Sequence, residues 1–330
     1  MMNIKGYKVW IKYLLITTVA FLMGFISKSI IDPILQTTVT ETRNSQNYRF
    51  INPLLECESS NFSQNAALQP LRNQLNDSIE NTDNKQVSHV SVYYRDLNNG
   101  PWIGIDEKEN FSPASLVKVP LMIAYFKAAE TDPGLLGQTI PVPGTFNHQQ
   151  TILPQITLTP NQTYTVEELI NRMIIYSDNQ AYELLQEYID NQILVKTYTD
   201  LGIDISQAYD DPTGNIISVK SYASFFRILF NASYLNKDTS EKALKLLSQT
   251  KYDQGIVKGV ADPLISVSNK FGERTYLETG ERQLHDCGIV YAPAKPYLLC
   301  IMTRGSNFPL MEKIINDVSS LVFQTVNSQI

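Results

Sequence analysis

The chain has 330 residues, of which 43% are hydrophobic and 18% are charged, the composition of a folded protein with a sizeable core rather than of a disordered or fibrous one. Its 27 basic and 33 acidic residues give a net charge of -6, which argues against a nucleic-acid partner. The three histidines and three cysteines lack the spacing of metal ligands, so we expect no metal and no other cofactor.

The N-terminus has the pattern of a membrane-targeting segment. Three lysines among the first twelve residues precede the apolar stretch from Tyr13 to Ile26. We expect residues 1–32 to form a single-pass membrane anchor, with Lys28 near the outer interface and the body of the protein on the extracytoplasmic side. Cleavage as a signal peptide near Ser27, which would give a secreted protein, is the alternative.

Composition divides the remainder of the chain into a linker and a domain. Residues 33–49 are polar and rich in Thr, Asn and Gln, which predicts a linker. One folded domain is expected over 50–330. Export permits disulfides, so we expect either one disulfide joining Cys57 to Cys287 or Cys300, or three buried thiols.

Hydrophobic periodicity predicts an α+β domain. Apolar residues at helical spacing from Leu68 to Ile79 predict a helix, and the β-formers from Val90 to Tyr94 predict the first strand of a hairpin that turns at Asn98-Asn99-Gly100. A largely helical middle follows. Three strands and a last helix are predicted near the C-terminus, over 265–269, 288–291, 297–302 and 310–321. We expect strands from both ends of the chain to share one sheet, with a helical lobe inserted between them.

A serine and a lysine three residues apart stand where a helix is predicted to begin. A serine at this position, such as Ser115, has its backbone N–H and the positive end of the helix dipole directed at the group that its hydroxyl attacks. Lys118 lies one turn further on and can accept the hydroxyl proton if burial lowers the pKa of its amine. Taken alone, the pair also fits a helix-capping serine followed by a surface lysine.

Two further elements carry polar side chains suited to a substrate cleft. Ser177 and Asn179 end a helix that begins with a capping box at Thr165; the hydroxyl can relay a proton and the carboxamide can donate to a substrate carbonyl. The alternative is an ordinary turn between helices. Lys270 closes a predicted strand and can attract a substrate carboxylate, while Gly272 would let substrate lie along the strand edge. A solvated strand end is the alternative there.

In this order the three elements resemble the S-x-x-K, S-D-N and K-T-G motifs of the penicillin-recognising serine hydrolases, and most closely the class A β-lactamases. The resemblance runs from about Val87 to the C-terminal helix. It implies a β-lactamase/transpeptidase-like fold, in which an antiparallel five-stranded sheet flanked by helices lies beside an all-helical lobe. It also implies an active site between the two parts, in a bacterial envelope enzyme that confers antibiotic resistance.

The resemblance gives each matching residue a role. Ser115 is the implied nucleophile, which the substrate acylates, and Lys118 and Ser177 move protons. The backbone N–H groups of Ser115 and Glu273 are the implied oxyanion hole. The residues with implied substrate-binding roles are Asn179, Lys270, Gly272 and Glu273.

Two departures from the family pattern fall where a substrate carboxylate is expected. Phe271 replaces a Thr or Ser and so removes a hydrogen bond to the substrate carboxylate. A hydrogen bond to a charged group typically contributes a free energy of about 1.5–3 kcal/mol. Cys287 stands where many class A enzymes have an arginine. The candidates to replace that arginine are Arg274, Arg282 and Arg304. We therefore expect β-lactams to be recognised more weakly or in a different way.

A third departure concerns hydrolysis of the acyl-enzyme. Class A enzymes use a glutamate in a Glu-Pro-x-x-Asn pattern as the base, and this chain has Asp211-Pro212-Thr213-Gly214-Asn215 instead. Asp211 is the candidate base and Asn215 the candidate second-layer residue that holds the water; a type I turn at Asp-Pro is the alternative. A general base typically contributes about 10²–10⁴-fold, so a misplaced carboxylate one methylene shorter would leave a slowly released acyl-enzyme.

These patterns predict a serine hydrolase that opens the β-lactam amide through an acyl-serine intermediate. The alternatives are a D-Ala-D-Ala carboxypeptidase of the penicillin-binding type, or a sensor module that binds penicillin or cell-wall peptide without turnover. The expected partners are thus a small β-lactam or cell-wall peptide, and the membrane through the N-terminal segment. His285 and Asp286 are expected in a surface turn rather than as an acid–base pair.

Overall fold

The computed structural model describes most of the predicted domain. The described residues are 17–18, 41–43, 48–57, 68–81, 85–98, 100–144, 152–153, 157–203, 214–293 and 295–328. No helix within these ranges is long and apolar enough to cross a membrane. The predicted anchor, 1–32, and linker, 33–49, lie largely outside the described residues, so both stay predictions, as does the domain boundary at 50.

By its internal contacts the chain divides into two units, one of 1–40 with 57–62 and one of 41–56 with 63–330. The second unit contains the sheet and the site analysed below. The described strands are β1 (Glu41–Arg43), β2 (Leu54–Cys57), β3 (Val87–Asp96), β4 (Trp102–Ile105), β5 (Asn110–Phe111), β6 (Thr139–Pro141), β7 (Thr163–Thr165), β8 (Ile217–Ser218), β9 (Val267–Thr275), β10 (Arg282–Val290) and β11 (Tyr297–Gly305). The described α-helices are α1 (Gln69–Glu80), α2 (Lys118–Ala129), α3 (Val166–Ile175), α4 (Asn179–Tyr188), α5 (Asn191–Asp200), α6 (Val219–Phe230), α7 (Lys237–Leu247), α8 (Ile256–Val260) and α9 (Phe308–Ser328).

Strands from both ends of the domain form one antiparallel five-stranded sheet, in the order β4-β3-β11-β10-β9. β3 lies beside β11, with Val92 opposite Ile301. The sequence between β4 and β9 supplies the helical part of the fold. The predicted α+β architecture and the five-stranded sheet are therefore confirmed, and β9 is an edge strand that can face a cleft.

The C-terminal strands are longer than the hydrophobic pattern predicts. β9 continues to Thr275, so Lys270 and Gly272 lie in the middle of a strand and the expectation of a strand end is wrong. β10 begins at Arg282, ahead of the predicted start at 288. Polar residues extend these strands because their backbones pair in the sheet while their side chains bond to buried partners, which an apolar pattern does not reveal.

The surface turn expected at His285 and Asp286 is wrong for the same reason. Both residues lie within β10 and are fully buried. His285 Nε2 is 2.9 Å from the carbonyl oxygen of Ser112, and the Asp286 carboxylate accepts hydrogen bonds from Ile256 N at 2.8 Å and Asn269 Nδ2 at 3.0 Å. Burial raises the pKa of Asp286 to about 6.

The disulfide pairing also differs from the expectation. Cys287 of β10 and Cys300 of β11 are directly opposite in register and form a disulfide. A bond from Cys57 to either of them and three separate thiols are thus both wrong. The strands predicted over 288–291 and 297–302 do pair with each other, but only the register of that pairing makes the two cysteines neighbours.

Helix α2 is an interior helix that fixes the position of the turn before it. All residues from Lys118 to Phe126 are buried, as in a helix surrounded by other elements. It packs against α3, α5 and α7, while the 3₁₀ turn Ala114–Val117, which precedes it, packs against β9. The turn that carries Ser115 therefore lies between the helical part and the edge strand of the sheet.

One carboxylate holds the segment at 49–51 against α7. The Glu241 carboxylate accepts hydrogen bonds from the backbone N–H groups of Arg49 at 3.0 Å, Phe50 at 2.8 Å and Ile51 at 3.0 Å. Phe50 and Ile51 are buried and belong to the core. The Glu241 carboxylate thus provides hydrogen-bond acceptors for three consecutive backbone N–H groups where the chain enters the core.

We expect Glu241→Ala to lower the free energy of unfolding by about 1–3 kcal/mol, because it leaves these backbone donors without their acceptor. Glu241→Gln, which keeps an amide oxygen, should cost less. Urea denaturation of the full-length chain measures both. The control is Glu187→Ala at an exposed position on α4, expected within about 0.5 kcal/mol of wild type; equal losses for the two alanine variants would contradict the prediction.

Candidate active site

A strained turn presents Ser115. Ala114 has a φ of 47°, a left-handed conformation that residues with a Cβ rarely adopt. Ser115 follows in the 3₁₀ turn, which closes with a hydrogen bond from Leu116 N to Pro113 O at 2.9 Å. α2 itself begins at Lys118, three residues later than predicted. The turn leaves Ser115 partly exposed at the end of a buried helix.

The Lys118 amine lies among oxygen atoms from three residues. Its Nζ is 3.0 Å from Ser115 Oγ, 2.6 Å from Asn179 Oδ1, and 2.6 Å and 3.1 Å from the O and Oγ of Ser177. The side chain is 1% exposed. Burial lowers the pKa of Lys118 to about 7, although the charges of Asp178 and Glu273 act in the opposite direction.

These contacts determine where the lone pair of a neutral Lys118 points. A carbonyl or carboxamide oxygen can only accept, so the O of Ser177 and the Oδ1 of Asn179 take the two protons of the neutral amine. The lone pair is then left for a hydroxyl, either Ser115 Oγ or Ser177 Oγ. The site can therefore withdraw a proton from Ser115 near neutral pH.

Ser177 stands between two amines. Its Oγ is 3.1 Å from Lys118 Nζ and 2.9 Å from Lys270 Nζ, and its backbone is left-handed with a φ of 57°. The next residue, Asp178, caps α4 by accepting from Gln180 N at 2.9 Å, and it forms an ion pair with Arg172 at 3.1 Å. The segment is thus both a turn between helices and part of the site, and Asp178 fixes its shape.

Lys270 reaches the site from β9 and is fully buried. Its Nζ donates to Ser177 Oγ at 2.9 Å and to Phe271 O at 2.8 Å. Burial and the neighbouring charge of Lys118 lower the pKa of Lys270. The structure therefore joins three separate stretches of the sequence through a continuous set of hydrogen bonds among Ser115, Lys118, Ser177, Asn179 and Lys270.

Gly272 has a packing role that the sequence interpretation did not include. A Cβ at this position would lie 3.1 Å from Pro113 O and 3.3 Å from Leu116 N. The glycine therefore lets β9 approach the turn that carries Ser115, and its expected role in substrate binding stays a prediction. The following residue, Glu273, accepts from Ile152 N at 2.9 Å, and its charge offsets part of the lowering of the pKa values of Lys118 and Lys270.

Phe271 belongs to the core behind the site. It is 3% exposed and stacks on Tyr252 with ring centroids 4.3 Å apart. Lys270 Nζ is 4.4 Å from the centre of its ring. The ring thus fills space beneath the amine, where the family pattern has a small hydroxyl side chain.

The three arginines considered as replacements occupy different places. The Arg282 guanidinium lies over the aromatic ring of Phe308 in α9, and Arg304 forms an ion pair with Glu109 at 3.0 Å. Arg274 instead donates from Nη1 to Ser112 Oγ at 2.8 Å, three residues before Ser115. Arg274 therefore contacts the segment three residues before Ser115, and Arg304 contacts it further ahead, donating from Nη2 to Asn110 O at 2.6 Å.

Of the two residues proposed for hydrolysis of the acyl-enzyme, only Asn215 lies within the described residues. Asp211 lies outside the described residues, so its role stays a prediction. Asn215 is described, and its Oδ1 accepts from Gln283 Nε2 at 2.9 Å. Gln283 in turn accepts from Ser112 N at 2.9 Å and is fully buried.

Sequence reasoning missed Ser112 and Gln283, and it assigned His285 to a surface turn. The one available indication was that Gln283 and His285 are two residues apart, which places them on the same face of a strand. Within the described part of the chain, no group of three or more His, Cys, Asp or Glu side chains is placed to hold a metal ion.

Several solved structures share this fold. PBP-A superimposes with a TM-score of 0.66 at 19% identity, over 79% of this chain and 97% of PBP-A. A β-lactamase from Chitinophaga pinensis gives 0.65 at 19% identity, over 78% of this chain and 100% of that enzyme. A variant of the TLA-1 extended-spectrum β-lactamase gives 0.66 at 14% identity, over 79% and 99% of the two chains.

No curated protein sequence matches the chain. The model of the β-lactamase enzyme family, in contrast, matches residues 70–326, which span the five-stranded sheet, the helical part and every site residue described above. This match, together with the shared fold, shows that the chain belongs to the β-lactamase enzyme family.

Proposed function

We propose that this protein is a class A β-lactamase-like serine hydrolase, which opens the β-lactam amide through an ester on Ser115. The observation that carries the proposal is the buried Lys118 amine 3.0 Å from the Ser115 hydroxyl, with its two shortest contacts made to oxygens that can only accept. A variant of PBP-A, a structural neighbour, was solved as an acyl-enzyme complex with penicillin G, which supports penicillin as the first substrate to test.

Acylation begins with proton transfer from Ser115 Oγ to the neutral Lys118 amine. The oxygen then attacks the carbonyl carbon of the lactam, and negative charge develops on the carbonyl oxygen. The backbone N–H groups of Ser115 and Glu273 would stabilise this oxyanion. Asn179, held by Lys118, and Lys270 orient the substrate at the same time.

Ser177 completes the acylation step. Its hydroxyl gives a proton to the lactam nitrogen as the C–N bond breaks, and it regains a proton from the Lys118 ammonium, 3.1 Å away. Lys270, on the opposite side at 2.9 Å, holds the hydroxyl oxygen in place for this transfer. The products of the step are an ester on Ser115, an opened ring with a neutral amine, and a neutral Lys118.

Hydrolysis of the ester needs a water and a base. Asp211 is the proposed base and Asn215 the residue that helps to hold the water. Attack of the water on the ester carbonyl releases the acid and returns the proton to Ser115. The proposed site of action is outside the cytoplasm, in a protein that is membrane-anchored or secreted; the Cys287–Cys300 disulfide suits an oxidising compartment.

A second candidate function is a D-Ala-D-Ala carboxypeptidase or a penicillin-binding module with slow release. It is favoured by the buried ring of Phe271 and by the disulfide at Cys287, because both replace side chains expected to bind a β-lactam carboxylate. The same acyl-Ser115 chemistry serves all these functions, and the fate of the ester separates them.

We expect full-length protein mixed with benzylpenicillin to gain the mass of one penicillin on Ser115 and then to lose it as hydrolysed product. Intact-mass spectrometry over time measures both steps, because the acyl bond is covalent. Ser115→Ala should form no adduct, whereas Ser224→Ala, which removes a hydroxyl bound to the Ser221 carbonyl on α6, should behave as wild type.

A persistent adduct on Ser115 would instead indicate the penicillin-binding function, and release of D-alanine from a D-Ala-D-Ala peptide would indicate the peptidase. Absence of any adduct, or an adduct on another residue, would overturn the proposed function.

The acylation rate should rise with pH through about 7. The pKa of Lys118 is lowered, so the amine is protonated and inactive as a base below about 7 and neutral above it. Lys118→Arg should slow acylation by about 10²–10⁴-fold at every pH, because a guanidinium stays charged. Stopped-flow or quench measurements from pH 5 to 9 test this, with the exposed Lys196→Arg as control. A rate that does not change over this range would contradict the role of Lys118.

A further inference from the structure

A buried serine just before the nucleophile is held by side chains of the sheet. Ser112 N donates to Gln283 Oε1 at 2.9 Å, its carbonyl oxygen lies 2.9 Å from His285 Nε2, and its Oγ accepts from Arg274 Nη1 at 2.8 Å. Every polar atom of Ser112 is thus bound by β9 or β10. The segment that leads to Ser115 takes its position from these contacts.

The three side chains come from one face of two paired strands. Gln283 is opposite Arg274 in register, and His285 is opposite Gly272. Because burial lowers the pKa of His285 to about 4, its imidazole is neutral and donates from Nε2 to the Ser112 carbonyl. Gly272 provides the close approach of β9 to the turn, and its neighbours in the sheet bind Ser112, two residues before that turn.

Gln283 makes a second contact, whose direction is determined by the first. A backbone N–H can only donate, so Gln283 must turn its Oε1 towards Ser112 and its Nε2 towards Asn215. The Nε2 then donates to Asn215 Oδ1 at 2.9 Å and to Glu281 Oε1 at 3.3 Å. The orientation of the Asn215 carboxamide is therefore set by a chain of hydrogen bonds that begins at the nucleophile segment.

Backbone hydrogen bonds also join the residues around Asn215 to the strand that precedes Ser115. β5 pairs with β8, with Phe111 opposite Ile217, and Ile216 N donates to Phe111 O at 3.1 Å. Gly214 has a φ of 64°, and a Cβ there would lie 3.2 Å from Arg274 Nη1. The residues around Asn215 are therefore held at a fixed distance from the strand that continues to Ser115.

We propose that Gln283 is a positioning residue for hydrolysis of the acyl-enzyme: by binding Ser112 and Asn215 at once, it aligns the water-holding carboxamide with the ester on Ser115. This inference rests on the proposed function. Gln283 acts through its two neighbours and touches neither the substrate nor the reacting atoms. Its loss should therefore slow release of the acyl group more than formation of the ester.

Gln283→Glu separates positioning from general stability. A glutamate keeps an oxygen for Ser112 N but presents a second oxygen, instead of an N–H, to Asn215 Oδ1 and to Glu281 Oε1. Gln283→Met keeps the volume and removes the contacts to Ser112, Asn215 and Glu281 together, and it is the second variant if the glutamate variant does not fold. The matched control is Thr303→Val in β11, which removes a buried hydrogen bond, 2.7 Å long, to Leu284 O of β10.

The experiment follows benzylpenicillin on the full-length proteins by rapid-quench intact mass, which gives the two rates separately, together with a thermal melt of each variant. We expect Gln283→Glu to acylate within threefold of wild type and to release the acyl group at least tenfold more slowly. Thr303→Val should change neither rate by more than threefold. A release rate in the Gln283 variants within threefold of wild type, or equal slowing of both steps, would overturn the inference.

The failure of the inference is distinguishable from that of the proposed function. A wild-type adduct that forms on Ser115 but is never released would overturn the inference, because no hydrolytic step would exist to position, while acylation would stand. A wild-type protein that forms no adduct would overturn the proposed function itself.

Discussion

Lys118 loses its hydration when α2 packs into the interior, and oxygen atoms of Ser115, Ser177 and Asn179 replace the water around its amine. Burial disfavours the charged form and lowers the pKa to about 7. The two shortest contacts are to atoms that can only accept, so they use the protons of the neutral amine and leave its lone pair for a hydroxyl. The proposed chemistry depends on this arrangement.

The helical part of the fold supplies Lys118 and Ser177, and the sheet supplies Lys270. The nucleophile and Lys118 come from consecutive turns, so their proximity is local. Ser177, in contrast, is brought to Lys118 by the cap and ion pair of Asp178, and Lys270 is brought by an edge strand that needs glycine at 272 to approach the turn. Close packing of the two parts is thus what places a hydroxyl between two amines.

The sequence predicted the features that depend on local pattern or motif order. Helical and strand periodicity indicated the α+β fold, and motif order indicated Ser115, Ser177 and Lys270. The disulfide partner of Cys287 and the burial of His285 depend on strand register, which the hydrophobic pattern leaves open. Gln283 could not be identified because its significance lies in two partners that are distant in sequence.

The state of the Lys118 amine is the most direct test of this account. Lysine labelled with ¹³C at Cε gives NMR signals that move as each amine loses its proton, and Lys118→Met identifies the signal of residue 118. We predict that this signal titrates with a midpoint near pH 7, far from the value of about 10.4 typical of an exposed lysine. A midpoint near 10 would show that Lys118 remains an ammonium at neutral pH, and it would contradict its role as the base.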